Sequence, residues 1–506
     1  MGGEACSPGW QGVVAVVGAA LLVRFAVGLG PYSGMGNHPK YGDYEAQRHW
    51  MEITVNLPVS DWYWPTSDNR LEYWGIDYPP LSAFQSWLYG HVLRQFDPDM
   101  IALKTSEGYE TSYSKLLMRW SVVVTDVLVM FPAAFAAMRL VPGASGRGQI
   151  IVLSCLLLQP AAVIIDHGHF QYNSLSLGLA LGGAIGVVTG RHVLGSVLFC
   201  LALNHKHMTL YYAPAFFSYL LGCSLRQKGP VAKVVAVSKC GLAVLGTFLV
   251  CWLPFMMRPG GTQQLLRRLF PIERGVFEDY VANFWCASAV LFKWKSWMGN
   301  EALMKACGLA TLLALLPSML HQIRWPSSHG FMYSMANSAL AFFLFSYQVH
   351  EKSILLVLMP ISLLVVEEPL VARMAPMVAM LSMYPLLERD GLALQYVALS
   401  AAFLCLPLQN GGPRKSAQPP AQSRTQRRKS GPQWTGAGWQ TLDSLEWATA
   451  SFVIFAALVL HAGRVAVPPP SRYPFIHDAA IVWFCCPVFL MMMCYLNFKQ
   501  LTSLRA

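Results

Sequence analysis

Chemically useful side chains gather at five places in a chain otherwise starved of them. The first reads Gly42-Asp43-Tyr44-Glu45-Ala46-Gln47-Arg48-His49-Trp50. It begins about a dozen residues after an apolar run, so Asp43 is expected near a membrane surface. A carboxylate there can act as a general base, or cap the helix it precedes. Glu45, Arg48 and His49 beside it are candidate substrate contacts. The second reads Tyr73-Trp74-Gly75-Ile76-Asp77-Tyr78-Pro79-Pro80. Trp74 and Tyr78 offer rigid faces suited to sugar C–H groups and to lipid. Asp77 can bind a sugar or cap the helix after the prolines. The third reads Asp166-His167-Gly168-His169-Phe170-Gln171-Tyr172-Asn173. A zinc site there lacks a fourth ligand at suitable spacing, so hydrogen bonding to substrate by His167, His169, Gln171 and Asn173 is the expectation. The fourth runs from Arg267 to Trp285 and holds Arg274 and Asp279. An arginine fork suits a phosphate or pyrophosphate. The fifth is His350-Glu351-Lys352, wedged between two apolar runs. Ionisable groups at such a junction imply function. Asp97-Pro98-Asp99 has a metal-binding spacing, but its proline and lack of other ligands predict a turn, and no metal is expected.

The elements that hold these groups are apolar. Charged residues make up 12% of the 506 and hydrophobic ones 55%, whereas a soluble domain carries about 25% charged residues. That excludes ordinary soluble domains, a disordered regulator and a fibrous protein. Runs of spanning length recur from residue 10 to residue 498, without the alternation of an outer-membrane barrel. The fold class is therefore all-α: a polytopic membrane protein of about 14 transmembrane helices, at 10–30, 118–138, 148–165, 173–190, 192–205, 208–223, 240–257, 302–321, 330–349, 353–366, 374–387, 391–408, 446–463 and 477–498. Most of the 12 cysteines sit inside these runs and read as small hydrophobes.

Basic residues set the orientation. With an even span count, fifteen Lys and Arg fall on one set of short loops, counting six in the tract after residue 410, and five on the other. The richer side, with both termini, is expected to be cytosolic. The long loops 31–117 and 258–301 then share the opposite face. They are expected to carry interfacial amphipathic helices. One has Ala46, Trp50, Ile53 and Leu57 on a lipid-facing stripe, followed by Trp62, Tyr63 and Trp64 in the headgroup zone. Four regions result: 1–257, an N-terminal helical module with its long loop; 258–408, the second loop and a C-terminal helical module; 409–445, a basic linker; and 446–506, the last two spans. The linker reads as a partner for anionic lipid, not for nucleic acid.

These five groups, the fourth through its Arg274 to Trp285 stretch, resemble in this order the endoplasmic-reticulum family of dolichyl-phosphate-glucose-dependent alpha-1,3-glucosyltransferases. The likeness runs from about Arg24 to Asp390 and is closer to the branch adding the first glucose to the lipid-linked high-mannose glycan than to the branch adding the second. The lysine-containing segment of the family is altered here, as Asn204-His205-Lys206-His207-Met208. The resemblance implies a GT-C fold with a luminal site in the endoplasmic-reticulum membrane. It implies dolichyl phosphate glucose as donor, a dolichyl-pyrophosphate-linked high-mannose oligosaccharide as acceptor, and inversion from a beta donor to an alpha product.

Inversion by direct displacement needs a base on the acceptor hydroxyl. The residues and the resemblance both nominate Asp43. The departing lipid phosphate needs positive charge, for which Arg274, His350 and Lys352 are candidates. No cofactor is required. A lipid-linked sugar transporter or flippase is the alternative, and it predicts polar clusters on both faces. In sealed microsomes, external protease should cut a tag placed after Ser416 and spare one placed after Asp68. The reverse pattern would invert the orientation and displace the mechanism.

Overall fold

The computed structural model describes residues 9–38, 41–141, 146–270, 280–408 and 437–502. Among them every regular element is helical. Helices occupy each of the fourteen expected segments. Six helical stretches are long and apolar enough to cross a membrane among the described residues: Trp10–Gly28, Ser112–Leu140, Gly146–Phe170, Pro230–Met256, Asn300–Arg324 and Ile476–Thr502. Five more are apolar but shorter. Length and composition thus support six spans, and the count of fourteen is not established. Arg274, Asp279, the tract 411–430 and both chain ends lie outside the described residues.

One large apolar core joins the helices from Val13 to Leu496. A charge inside such a core must be paired. Arg24 of the first helix donates to Asp126 Oδ2 at 2.6 Å and to the Leu157 carbonyl at 2.7 Å. His167 Nε2 lies 3.0 Å from the same Asp126 oxygen. These contacts fasten three helices together.

The first loop is a small folded unit. Helix Asp43–Asn56 packs on helix Pro80–Leu93, where Gly90 leaves room for Met51 and Val55. Trp50, Ile53, Trp62, Tyr63 and Ile76 are buried with Phe255, Leu265 and Leu269 of the following segment. This corrects the interfacial-helix expectation. The apolar stripe covers protein, because the second loop folds over it. Arg258 pairs with Asp61 at 2.8 Å, and Gln264 donates to the Tyr63 carbonyl at 2.9 Å. The two long loops therefore occupy one end of the bundle.

The opposite end also carries a polar cluster. Glu367 meets His329, while Glu368 accepts from Tyr333 at 2.7 Å and Tyr495 at 2.6 Å and lies 3.3 Å from Lys499. These acids come from a Glu-Glu pair at a helix junction, and distant helices supply their partners.

Arg48 shows why the first loop is rigid. Its fully buried guanidinium spends all five N–H groups. Two go to Glu45 at 2.7 Å, one to Glu52 at 2.8 Å, one to the Met100 carbonyl at 2.9 Å and one to Ser106 Oγ at 2.6 Å. Replacing it by methionine would leave Glu45 and Glu52 buried without their counter-ion. Breaking such a network costs about 3–5 kcal/mol. Arg48→Met should accordingly lower the melting temperature in detergent by many degrees. A loss under about 1 kcal/mol would place the network among weak, surface-like pairs.

Candidate functional site

Asp43 opens the helix Asp43–Asn56. Acid in a first helical turn is favoured by the helix dipole. Close approach of two backbone strands fixes its start. Gly34 has φ +74°, and a side chain there would strike the Gly42 backbone. A Cβ on Gly42 would in turn strike Ser33. The Asp43 amide then donates to Ser33 Oγ at 3.3 Å.

Three side chains from two segments far apart in sequence converge on one oxygen of this carboxylate. Asp43 Oδ2 takes Lys352 Nζ at 2.7 Å, His169 Nε2 at 2.9 Å, and the Gln171 side-chain amide. Oδ1 carries no such bond among the described residues, and the side chain stays 24% exposed. One oxygen is clamped and the other is open. Burial alone would raise the Asp43 carboxyl, but Lys352 and then His169 outweigh it and hold it well below the usual carboxylate range. Burial likewise opposes the Lys352 charge, yet Asp43 and Glu351 keep its ammonium raised.

The backbone beneath is strained to make this possible. Phe170 has φ 88°, a left-handed conformation that is costly for a residue with a side chain. Its buried ring sits 5.0 Å from Tyr44 and 5.7 Å from Tyr172, which holds it there. The reversal lets His169, at the end of one helical turn, and Gln171, before the next helix, reach the same oxygen. Asp166 anchors the far side. It accepts from the Asn173 and Ser174 amides at 3.0 and 2.7 Å and from both their side chains.

Behind Gln171 lies a buried lysine. Lys206 Nζ donates to Gln171 Oε1 at 2.9 Å and Asn173 Oδ1 at 2.5 Å, and sits 4.9 Å from the Tyr78 ring centre. Burial pushes its ammonium down to about 8, with Asp166 opposing. A cleft of about 220 Å³ opens beside it. Asp77, Tyr78, His207, Arg268 and His350 bring polar groups to its wall, and Leu210, Leu269, Phe270 and Phe342 an apolar surface. Burial, helped by His350, pushes His207 down to about 4, so it is neutral near pH 7. Arg268 donates to the carbonyls of Gly75 and Ile76 at 2.6 and 3.1 Å, which binds the two long loops together at the cleft.

The structure brings together Asp43, Tyr78, His169, Gln171, Asn173 and Lys352, with Asp77 and His350 on the cleft. It sets other candidates elsewhere. Glu45 and Arg48 face each other within the first loop, Glu45 also taking Tyr73 Oη at 2.9 Å. His49 Nδ1 lies 3.0 Å from Glu52 Oε2. The Trp74 carbonyl accepts from Trp50 Nε1 at 2.9 Å. His167 points away, toward Asp126. Asp99 starts a short helical turn, Asp99–Ile101, and Asp97 accepts from Tyr109 at 3.3 Å. Asp390 and Ser33 are additions that sequence reasoning passed over. Asp390 Oδ2 lies 2.5 Å from His169 Nδ1, across 221 positions of chain. Its only sequence signal is an acid at the tip of a short turn between apolar helices.

Residues 20–496 match the ALG6, ALG8 glycosyltransferase family. A curated relative from Arabidopsis thaliana, a probable dolichyl pyrophosphate Man9GlcNAc2 alpha-1,3-glucosyltransferase, is 44% identical over 96% of this chain and 88% of its own length. The Gallus gallus dolichyl pyrophosphate Man9GlcNAc2 alpha-1,3-glucosyltransferase is 42% identical over 96% of both chains. The Saccharomyces cerevisiae protein of that name is 41% identical over 74% of this chain and 70% of its own. The chain belongs to this family of membrane glycosyltransferases.

Loss of the proton from Lys206 would weaken its hold on Gln171 and Asn173. Activity should therefore fall on the alkaline side with a midpoint near 8. The direction follows from the charge, since the ammonium donates markedly stronger hydrogen bonds to the two amide oxygens than a neutral amine does. In Lys206→Met the rate should be lower and this alkaline limb absent. A limb that persists in the variant would assign it to another group.

Proposed function

We propose that this chain is an inverting glucosyltransferase of the endoplasmic-reticulum membrane. It moves glucose from dolichyl phosphate glucose to the terminal mannose of Man9GlcNAc2 on dolichyl pyrophosphate, forming an alpha-1,3 linkage. The observation that carries the reading is Asp43, clamped through Oδ2 and open at Oδ1, beside a lysine and a polar cleft. The relatives' names specify Man9GlcNAc2, a glycan without glucose, which favours the first transfer over the second.

The geometry supports the following reaction. The acceptor hydroxyl oxygen attacks the anomeric carbon on the face opposite the phosphate. Asp43 Oδ1 takes the hydroxyl proton as the new bond forms. The old bond from sugar carbon to phosphate oxygen breaks, and dolichyl phosphate leaves with the electron pair. That anion needs positive charge rather than a proton. Lys352 is nearest to Asp43, and His350 and Arg268 line the cleft that includes the neighbouring Tyr78. In the free site Lys352 weakens Asp43 as a base. A donor phosphate gives Lys352 a second anion to hold, so Asp43 regains basicity when the donor is in place.

Sidedness supports a luminal site. Asp43, His169, Lys206, Lys352 and Asp390 all lie on connections of the lysine- and arginine-poor set, and they meet at one end of the helices. The richer set, with both termini, then faces the cytosol. A transporter would need free polar groups at the other end as well, but Glu367 and Glu368 there are occupied by histidine, tyrosine and lysine partners.

General-base catalysis contributes about 10²–10⁴-fold, or roughly 3–5 kcal/mol. With synthetic lipid-linked donor and acceptor, Asp43→Asn should lose that much rate while acceptor binding changes far less. Glu45→Gln, set back in the Arg48 network, should cost less rate and more stability. An Asn variant retaining more than about a tenth of the rate would fall below that range and remove Asp43 as the base. A parallel assay with a monoglucosylated acceptor separates first from second transfer.

A further inference from the structure

Asp390 has no part in the mechanism so far, yet it is built into the site. It follows the helix Tyr384–Arg389, in a turn completed by Gly391 at φ +72°. The next residue, Leu392, lies so near Gly168 that a Cβ on that glycine would come within 3.1 Å of it. This close contact sets the turn beside His169. Asp390 Oδ2 then meets His169 Nδ1 at 2.5 Å, and His169 Nε2 meets Asp43 Oδ2 at 2.9 Å. The side chains of His169 and Asp390 are 2% and 8% exposed.

The hydrogen-bond count makes the arrangement informative. A neutral imidazole has one N–H and can donate to only one of the two carboxylates. It must carry both protons to donate to Asp390 and Asp43 together. A buried carboxylate on Nδ1 favours that state and fixes the ring plane, as a carboxylate behind a histidine does elsewhere. We propose that Asp390 is a positioning residue for the transfer reaction, acting through His169 to hold Asp43 Oδ2 so that Oδ1 faces the acceptor hydroxyl. This rests on Asp43 being the base. Asp390 itself touches no substrate atom.

The charged groups around Asp43 come from several elements. Lys352 and His169 bond it directly, Lys352 Nζ also standing 3.2 Å from His169 Nε2 and opposing the imidazolium charge, Glu351 flanks Lys352, Lys206 stands behind Gln171, and Asp77 and the Tyr78 hydroxyl lie across the cleft. Removing the Asp390 charge leaves these in place but removes the support for a doubly protonated His169. Asp43 then loses a cationic donor, becomes easier to protonate, and the acid limb of the rate profile moves to higher pH.

The test uses the full-length enzyme with lipid-linked donor and acceptor. Asp390→Asn should lower kcat by about 10–100-fold, the range seen when the carboxylate behind a metal-bound histidine is removed, with little change in acceptor KM. Its acid limb should move upward in pH, and Asp390→Glu should restore part of the rate and move the limb back. In a His169→Gln background, Asp390→Asn should cost nothing further, because the path between the two acids is already cut. An unchanged rate, a uniform loss with the acid limb in place, or losses that multiply in the double variant would each overturn the role of Asp390. Asp43→Asn, assayed alongside, tests the base independently. If that variant stays active, the base assignment has failed, whereas an inactive Asp43→Asn with an unaltered Asp390→Asn removes only this inference.

Discussion

A carboxylate oxygen withdrawn from water must be given partners, and at Asp43 Oδ2 the chain supplies them from two widely separated segments. Residues 169–171 bring an imidazole and an amide, and residue 352 an ammonium. Satisfying that one oxygen fixes the strained turn at Phe170, the packing of the 350–354 segment and the start of the first-loop helix. It also leaves the second oxygen open, which is where the proposed reaction puts the acceptor hydroxyl. The polar network is large because each partner is buried and needs partners of its own. Gln171 leads to Lys206, Lys206 to Asn173, and Asn173 to Asp166.

The same rule separates polar residues that work from those that hold the fold. Arg48 lies next to the functional acids in sequence, but its guanidinium has spent every N–H on the first loop. Arg24, Asp126 and His167 likewise close on one another inside the bundle. Groups facing the cleft are different. Tyr78 turns its ring to Lys206, and His207 is held neutral by burial against a wall that also carries a cation. Such a mix of one apolar side and one charged side suits a lipid phosphate carrying a sugar.

Much of this was legible in the chain before the structure. Apolar runs of helical length marked the helices, and the scarcity of charge made Asp43, His169, Gln171 and Lys352 conspicuous. Three things were hidden, each for a physical reason. Amphipathic spacing in residues 46–57 told that one face was apolar, not whether lipid or protein would cover it, and the second loop covers it. Neighbouring polar residues such as His167 and His169 looked equivalent, although the helical turn sends one toward Asp126 and the other toward Asp43. Asp390 was hidden because its partner lies 221 residues away, and nothing local to an Asp-Gly turn reveals which distant ring it will meet.

For the proposed reaction, placing the site at the ends of helices resolves a conflict between the two substrates. The reacting groups, a hydroxyl and a sugar phosphate, are polar and must meet charges strengthened by a low dielectric. The lipid tails are apolar and cannot follow them into water. A cleft between helix ends lets the tails stay in the hydrocarbon while the headgroups enter sideways. The folded first and second loops then roof the cleft, tied to each other by Arg268 and by the Arg258–Asp61 pair. That roof shelters the carboxylate which, in the proposed reaction, takes a proton from a sugar. It also explains why the loops need their own apolar core and a fully paired Arg48. A roof that shifted would move Asp43 with it, because the helix that Asp43 opens is the one Arg48 holds.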